Sequence, residues 1–142
     1  MRDGGIAAGE LIAEMRGLDA AMAASSSDSA ATTRRHLATG IATLAEAGDG
    51  LRARFTASPA QALAGAVPYL RLFGIVTGGW LLAKSLLAAE RHIAEGEGDR
   101  QFYAAKILTA QFFAEHYLAT APALLPAIAG GATVMDFNLE SL

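Results

Sequence analysis

The stretch Ala66-Val-Pro-Tyr-Leu-Arg-Leu-Phe-Gly-Ile-Val-Thr-Gly-Gly-Trp-Leu-Leu-Ala-Lys84 decides the fold of this chain. Apolar residues or glycine occupy nearly every helical face of it. A second apolar helix, residues 102–117, follows about 35 residues later. A helix that is apolar on most faces must be buried against other helices. The two helices therefore predict a helix bundle with a tightly packed centre, and they name no reaction.

Four helical segments are predicted along the chain, and no stretch has the pattern of a strand. Within each segment, apolar residues recur at spacings of three and four, which places them on one helix face. Polar turns separate the segments, with Ser58-Pro59 and Asp99 as helix starts and Gly96 as a left-handed helix end. The predicted segments are residues 7–24, 29–57, 59–95 and 100–129, followed by a short tail to Leu142.

Three places in this pattern leave the course of a helix open. Gly48-Asp49-Gly50 lies inside the second segment, where each glycine costs about 1 kcal/mol relative to alanine, so we expect one long helix with a local distortion. Pro68 allows either a short helix, residues 59–66, joined by a kink to a long one, or a long helix that starts near Pro68. Pro122 and Pro126 are expected to bend the fourth segment or to end it early.

Short connections between long amphipathic helices favour antiparallel neighbours. We therefore expect an all-α fold, an antiparallel up-down-up-down four-helix bundle with long third and fourth helices, formed by residues 1–142 as a single domain. Gly74, Gly78 and Gly79 lie about one turn apart on the third helix. Because they lack a Cβ atom, we expect them to let another backbone approach closely.

The composition narrows the possible functions. With 14 acidic and 11 basic side chains, the formal net charge is −3, which gives no electrostatic footprint for nucleic acid. Only 18% of the residues are charged, against roughly 25% in typical domains, so we expect some apolar surface to be left for a partner. The chain lacks cysteine, which excludes disulfides and thiolate metal sites.

Neither a signal peptide nor a membrane span is predicted, and we expect a cytoplasmic protein. No apolar leader segment follows residues 1–5. The longest charge-free apolar run, residues 72–83, lies between Arg71 and Lys84. It is shorter than the ~20 residues that a bilayer requires, and it fits a buried helix instead.

The three histidines do not form a known metal motif. Di-metal carboxylate bundles need Glu-x-x-His on two helices and a glutamate from each of the other two. His36, His92 and His116 lack this spacing, since Glu90 lies two residues before His92 and Glu115 directly precedes His116. We therefore expect solvent-facing or capping histidines and no metal site.

No nucleophile or phosphate-binding loop is evident either. The serines cluster in residues 25–29, where loop and capping roles account for them. None lies in a Gly-x-Ser-x-Gly turn, and glycine-rich phosphate loops need a strand before them. The sequence thus predicts no catalytic residue and no cofactor-binding residue in this chain.

Charged and aromatic side chains in the two most apolar helices are the remaining candidates. Arg71, Lys84, Lys106 and Glu115 suit an acidic ligand such as a phosphate, but we expect them to reach the surface or to pair between the helices. Counting back from the turn, Glu90 and Lys106 should come close in an antiparallel pair. Aromatic residues at helical spacing are usually core residues. Those expected in the core are Phe73, Trp80, Phe102, Phe112, Phe113 and Tyr117.

The apolar helices resemble a known protein family. The stretches that carry the resemblance are residues 67–74, Gly78-Gly79-Trp80-Leu81, Phe102-Tyr103-Ala104-Ala105-Lys106 and Phe112-Phe113-Ala114-Glu115-His116. They are similar to the C-terminal accessory helical domain of a subset of flavin-dependent acyl-CoA dehydrogenases, those like the 3-methylmercaptopropionyl-CoA dehydrogenases. The opening Met1-Arg2-Asp3-Gly4-Gly5 is similar to the junction where the catalytic body of such enzymes ends.

The resemblance implies one piece of a larger enzyme. Parent enzymes of this family use FAD to oxidise the α,β carbon–carbon bond of an acyl-CoA thioester, with a glutamate as the base. The flavin pocket, that glutamate and the CoA site belong to the upstream domains, so FAD is expected in the parent and no catalytic residue is carried over to this chain. The implied role is non-catalytic: the domain packs on the upstream catalytic domains or shapes a subunit interface in a homo-oligomer.

Two other functions stay open from the sequence alone. A free-standing helical adaptor would bind a partner helix in an apolar groove, with no flavin. A small di-metal or haem bundle enzyme would hold a bound metal, and the missing Glu-x-x-His pairs argue against it.

Overall fold

The computed structural model describes residues 5–130, and these residues are helical with no strand among them. The all-α prediction is confirmed. The predicted junction at the start of the chain falls largely on residues 1–4, and the predicted tail begins at residue 131, so both lie outside the described residues. The elements in chain order are α1 (Ile6–Gly17), α2 (Asp19–Ala24), α3 (Asp28–Ala57), α4 (Pro59–Ala64), α5 (Ala66–Glu95), α6 (Arg100–His116), a 3₁₀ segment (Leu118–Leu124) and α7 (Leu125–Ala129).

Local capping sets several helix boundaries. Ser27 begins α3, where its hydroxyl oxygen accepts a hydrogen bond from the Ala30 N–H at 3.0 Å. Asp99 begins α6 in the same way, accepting from the Gln101 N–H at 2.8 Å. α5 ends at Gly96, whose φ of 70° is the left-handed conformation that favours glycine. These boundaries confirm the sequence prediction.

Glycine and proline act differently in the two longest helices. α3 continues for 30 residues through Gly48-Asp49-Gly50, so one long helix is confirmed and the expected distortion does not break it. Gly65 separates the short α4 from α5, which selects the first of the two courses predicted around Pro68. Pro68 lies in the first turn of α5, where a backbone N–H would have no partner within the helix.

The fourth segment, residues 100–129, ends early as an α-helix, which is one of the two outcomes expected from Pro122 and Pro126. α6 ends at His116 after 17 residues and is followed by the 3₁₀ segment and the short α7. Pro122 lies within the 3₁₀ segment, and Pro126 lies in the first turn of α7. Because neither proline can donate to the preceding turn, the α-helical ladder cannot run through both positions.

The long helices alternate in direction. Residues near the start of α3 contact the end of α5, and residues near the end of α5 contact the start of α6. The contacting pairs are Ser27 with Glu90 and Gly48 with Tyr69 between α3 and α5, and His92 with Tyr103 and Gly78 with Phe113 between α5 and α6. α3, α5 and α6 are therefore antiparallel in succession, while α1 and α2 pack against α3.

The core lies where the inner face of α5 meets α3 and α6. Leu72, Val76, Ala83 and Leu86 on this face are 0% exposed. A leucine buried in this way contributes roughly 1.5–3 kcal/mol. The buried residues that face them include Leu37, Ile41 and Leu44 of α3, Ala110 and Ala114 of α6, and Leu118 of the 3₁₀ segment.

The end of α7 is fastened to α3 and α4. The Arg54 guanidinium donates hydrogen bonds to the carbonyl oxygens of Ile128 at 2.7 Å and Ala129 at 3.3 Å. A Cβ atom at Gly65 would lie 2.5 Å from the Ile128 carbonyl oxygen. Gly65 is therefore a position where two backbones approach closely, and the sequence analysis did not identify it.

Candidate functional site

Two glycines of α5 receive side chains instead of a second backbone. A Cβ atom at Gly79 would lie 2.5 Å from Leu118 Cδ1, and one at Gly78 would lie 3.2 Å from Phe113 Cζ. The prediction of a close backbone approach here is therefore wrong. These glycines form depressions into which side chains of α6 and the 3₁₀ segment fit.

Three aromatic side chains of α6 lie outside the core. Phe102, Phe112 and Tyr117 are 53%, 55% and 49% exposed, so the prediction of core positions is wrong for them. α6 meets its neighbours through Ala110 and Ala114, which are almost fully buried. Because alanines in the contact let helices approach closely, the larger rings are displaced to its rim.

The other aromatic residues that were predicted to lie in the core are buried or partly buried. Trp80 is 8% exposed and belongs to the core, as predicted. Phe73 and Phe113 are partly buried and pack against the core. The Tyr117 ring stacks on Phe113 with 4.9 Å between the ring centroids. The aromatic residues of α6 thus extend from the core to the surface beside α5.

The basic side chains of α5 and α6 reach the surface, as one of the two predicted arrangements requires. Lys84 Nζ lies 4.5 Å from the centroid of the Trp80 ring, and Lys106 Nζ lies 5.1 Å from that of Phe102. Arg71 is exposed. None of these three side chains forms an ion pair within residues 5–130. Their positive charges are left without a carboxylate in this part of the chain.

Glu90 binds serines and not Lys106, so the predicted Glu90–Lys106 pair is wrong. Ser25 Oγ donates to Glu90 Oε2 at 2.8 Å, and the Ser27 hydroxyl donates to the other carboxylate oxygen. The reason is rotational: Glu90 lies on the side of α5 that faces the start of α3, whereas Lys106 is exposed on α6. Counting residues from the turn predicts correctly that Glu90 and Lys106 lie at similar positions along the helix pair. It does not predict that they lie on different sides of it.

Glu115 forms its hydrogen bond within α6. Its carboxylate accepts a hydrogen bond from Gln111 Nε2 at 2.9 Å. Gln111 in turn accepts from the Ser29 hydroxyl of α3 at 2.7 Å. Glu90 is thus bound at the start of α3, and Glu115 is linked to Ser29 of α3 through Gln111.

The three histidines lie apart from one another. His36 is half-buried on α3. The His116 ring packs against Phe112, with 4.2 Å between centroids. His92 Nδ1 lies 3.0 Å from the Glu97 carboxylate. These positions do not assemble a histidine site.

The sequence analysis missed one polar group at the end of α5. His92, Glu95 and Glu97 place possible metal-ligand atoms within 4.8 Å of one another. His92 and Glu95 have the order His-x-x-Glu, the reverse of the Glu-x-x-His motif, and this order also puts both residues on one helix face. Both glutamates are exposed, and the Glu97 N–H donates to the His92 carbonyl at 3.0 Å. Closure of the helix end accounts for this arrangement.

The outer face of α5 is the most unusual surface of the fold. We define it as Val67, Leu70, Gly74 and Leu81, whose spacings of three, four and seven place them on one side of the helix. Val67, Leu70 and Leu81 are 78%, 71% and 53% exposed. A Cβ atom at Gly74 would meet nothing within 4 Å. This charge-free face is about 20 Å long, and exposed apolar patches of this kind mark interaction sites.

An apolar cleft opens beside the start of the outer face. Its volume is about 540 Å³. Burial raises the pKa of the Tyr69 phenol on its wall. The residues that line the cleft are Leu51, Phe55, Ala62, Leu63, Ala66, Tyr69, Leu70 and Phe73. The cleft and the outer face together leave apolar surface at one end of α5.

By length and composition alone, α5 is apolar enough to cross a membrane. Its most apolar window of 18 residues has a mean hydropathy of 1.6, and 39% of that window is buried inside the fold. Core helices of soluble proteins pass the same test. The absence of a membrane span therefore stays a prediction from the sequence.

Comparisons with known proteins identify the family. A family model described as "Acetyl-CoA dehydrogenase C-terminal like" matches residues 11–138. Over 118 residues, the chain is 39% identical to the 3-methylmercaptopropionyl-CoA dehydrogenase of Ruegeria pomeroyi, a match that covers 83% of this chain and 20% of that protein. The chain thus spans about a fifth of the length of this relative. The resemblance found in the sequence is confirmed: the chain belongs to the acetyl-CoA dehydrogenase C-terminal-like family.

Proposed function

We propose that this chain is the non-catalytic C-terminal domain of an FAD-dependent acyl-CoA dehydrogenase, and that it packs on the catalytic body or at a subunit interface. The observation that carries the proposal is the exposed, charge-free outer face of α5, in a chain that spans only a fifth of its relative. An apolar face of this kind is unfavourable in water, and a covering domain removes it from solvent.

The parent enzyme would oxidise the α,β bond of an acyl-CoA thioester in the cytoplasm, as a homo-oligomer. FAD carries its pyrophosphate on polar and backbone donors, and its ring between shaped walls. The cleft beside α5 does not fit it, because its walls are almost all apolar and lack a charged residue. No step of the oxidation is therefore assigned to residues 5–130, and the flavin belongs to the preceding part of the parent.

The test is the size and colour of the native protein. We would isolate it from its source with an antibody against this domain and record its intact mass and visible spectrum. A polypeptide several times larger than 14.6 kDa, with the absorption of bound flavin, is the expected result. A colourless protein of about 14.6 kDa would contradict the proposal.

The second candidate is a free-standing adaptor that binds a partner helix. The apolar cleft of about 540 Å³ beside α5 favours it, since amphipathic helices bind in grooves of this character. The same mass measurement separates the two functions, because the adaptor requires a native protein of the small size without flavin.

A further inference from the structure

We infer that the catalytic body of the same polypeptide docks on the outer face of α5, through an apolar patch bordered by carboxylates. The inference rests on the proposed function and adds to it the docking face and the chemistry of its occupant. Three observations carry it: the exposure of the face, the sign of the charges beside it, and the share of the relative that the chain covers.

The outer face has the composition of a core and the exposure of a surface. Val67 and Leu70 expose more than two thirds of their side chains. Gly74 adds an open depression between Leu70 and Leu81. Shape-complementary interfaces fill such depressions with a side chain of the partner. This relief favours a folded protein surface as the occupant.

The charged residues of α5 that border the face are basic. Arg71 directly follows Leu70 and Lys84 lies three residues after Leu81, so the two side chains border the face from opposite sides. Lys106 is exposed on the adjacent α6. Because none of the three has an ion-pair partner in the described part of the chain, an occupant with carboxylates at matching positions would satisfy them.

The same charges argue against a second copy of this chain on the outer face. Two copies of the face placed against each other would bring basic rims together, and like charges across an interface disfavour association. A two-fold contact would need acidic residues beside the face, but Glu90 of α5 is bound by Ser25 and Ser27 at the start of α3. The occupant is therefore a different surface.

Covalent linkage favours the catalytic body over a separate protein. The relative is about five times as long as the matched region, and the family is described as C-terminal, so on the proposed function a catalytic body precedes the domain in the same polypeptide. A surface joined by a linker acts at an effective concentration in the millimolar range. It would occupy the face before a free partner of similar chemistry could.

Carbodiimide cross-linking of the full native polypeptide tests the inference, because it joins lysine amines directly to carboxylates. Lys84 and Lys106 are the only lysines in the chain, so each cross-linked peptide identifies its origin. We expect both to link to aspartates or glutamates of the preceding region. Mixing ¹⁵N-labelled and unlabelled protein separates links within one polypeptide from links between copies. Links to a second copy of residues 5–130, or unlinked lysines, would overturn the inference.

A matched pair of variants provides the second measurement. Leu81→Asp places a carboxylate on the outer face, and Leu108→Asp places one on the side of α6 away from α5 at similar exposure. We expect Leu81→Asp to raise the hydrogen exchange of α5 in the full polypeptide at least tenfold, while Leu108→Asp leaves it unchanged. An equal response to both substitutions would contradict the docking face.

An anionic membrane is the other surface of matching chemistry. Sedimentation of the full polypeptide with phosphatidylserine vesicles tests it. Binding that Leu81→Asp abolishes, without cross-links to the preceding region, would assign the face to lipid and overturn the inference. A large flavoprotein without the cross-links would contradict the inferred docking face but not the proposed function. A colourless protein of 14.6 kDa would contradict both.

Discussion

The inner and outer faces of α5 have similar side chains and opposite surroundings. Leu72 and Leu86 on the inner face are 0% exposed, whereas Leu70 and Leu81 on the outer face are 71% and 53% exposed. The comparison teaches that an apolar side chain is buried only where another element covers it. α3 and α6 cover the inner face from within the chain, whereas no element among residues 5–130 covers the outer face.

The two faces should differ most in stability when one leucine on each face is replaced by alanine. Leu72→Ala leaves a cavity in a packed core and should lower the free energy of unfolding by about 2–5 kcal/mol. Leu70→Ala should change it by less than about 0.5 kcal/mol, because the side chain is already in water. Urea denaturation of the two variants measures both values. Equal losses would mean that the outer face is packed in solution.

Adding a methyl group to a glycine on each face sharpens the comparison. Gly79→Ala places a Cβ atom within 2.7 Å of three atoms of the buried Leu118 and should destabilise the fold by about 1–3 kcal/mol. Gly74→Ala meets open space and should stabilise it by about 0.5–1 kcal/mol through helix propensity. Melting temperatures of both variants provide the check, and a loss at Gly74 would show that the depression is already occupied.

Substitutions of the charged residues that border the two faces should differ less in their effect on the free energy of unfolding. Glu90→Ala removes two hydrogen bonds to Ser25 and Ser27 at a partly buried position and should cost about 1–2 kcal/mol. Lys84→Ala removes only a contact with the Trp80 ring and should cost at most about 1 kcal/mol. Guanidinium unfolding curves of the two variants decide the order. If Lys84→Ala proves the more costly, its charge has a partner that residues 5–130 lack.

The smallest effect concerns Tyr69, at the boundary between the faces. Burial raises the pKa of its phenol, so the folded state resists ionisation more than the unfolded state does. Above the unfolded pKa of about 10, the unfolded chain therefore binds fewer protons, and stability falls as the pH rises towards the folded pKa. Ultraviolet titration of the wild type against Tyr69→Phe isolates this phenol. A Tyr69 pKa at or below the ordinary value would show that the cleft wall is hydrated.

Local features of the fold were predictable from the sequence, because the chemistry that sets them lies within a few residues. Ser27, Gly96 and Asp99 cap helices as predicted, since a cap needs only its own turn. Membership of the family was also predictable, because it depends on the order of residues in the sequence. The prolines of residues 122 and 126 were recognised as interruptions, but the resulting 3₁₀ segment depends on packing that the sequence does not show.

Which side of a helix finds a partner was not predictable in the same way. Phe102, Phe112 and Tyr117 carry core-type side chains at helical spacing, yet α6 turns Ala110 and Ala114 inward instead. Rotation about the helix axis is fixed by contacts with other helices, so single-sequence spacing leaves it undetermined. The candidate docking surface was missed for the same reason: exposure of the outer face is a property of the assembled bundle.

The hydrogen bonds from Arg54 to Ile128 and Ala129 also bear on the order in which the domain folds. They join residues 74 and 75 positions apart, whereas α5 and α6 meet across the short turn that follows Gly96. Because closing a long loop costs more chain entropy than closing a short one, we expect the hairpin of α5 and α6 to form before the Arg54 contact. During synthesis, Ile128 is added 74 residues after Arg54, so this contact is available only when α7 has been made. A chain shortened before Ile128 would lack both carbonyl groups that Arg54 binds.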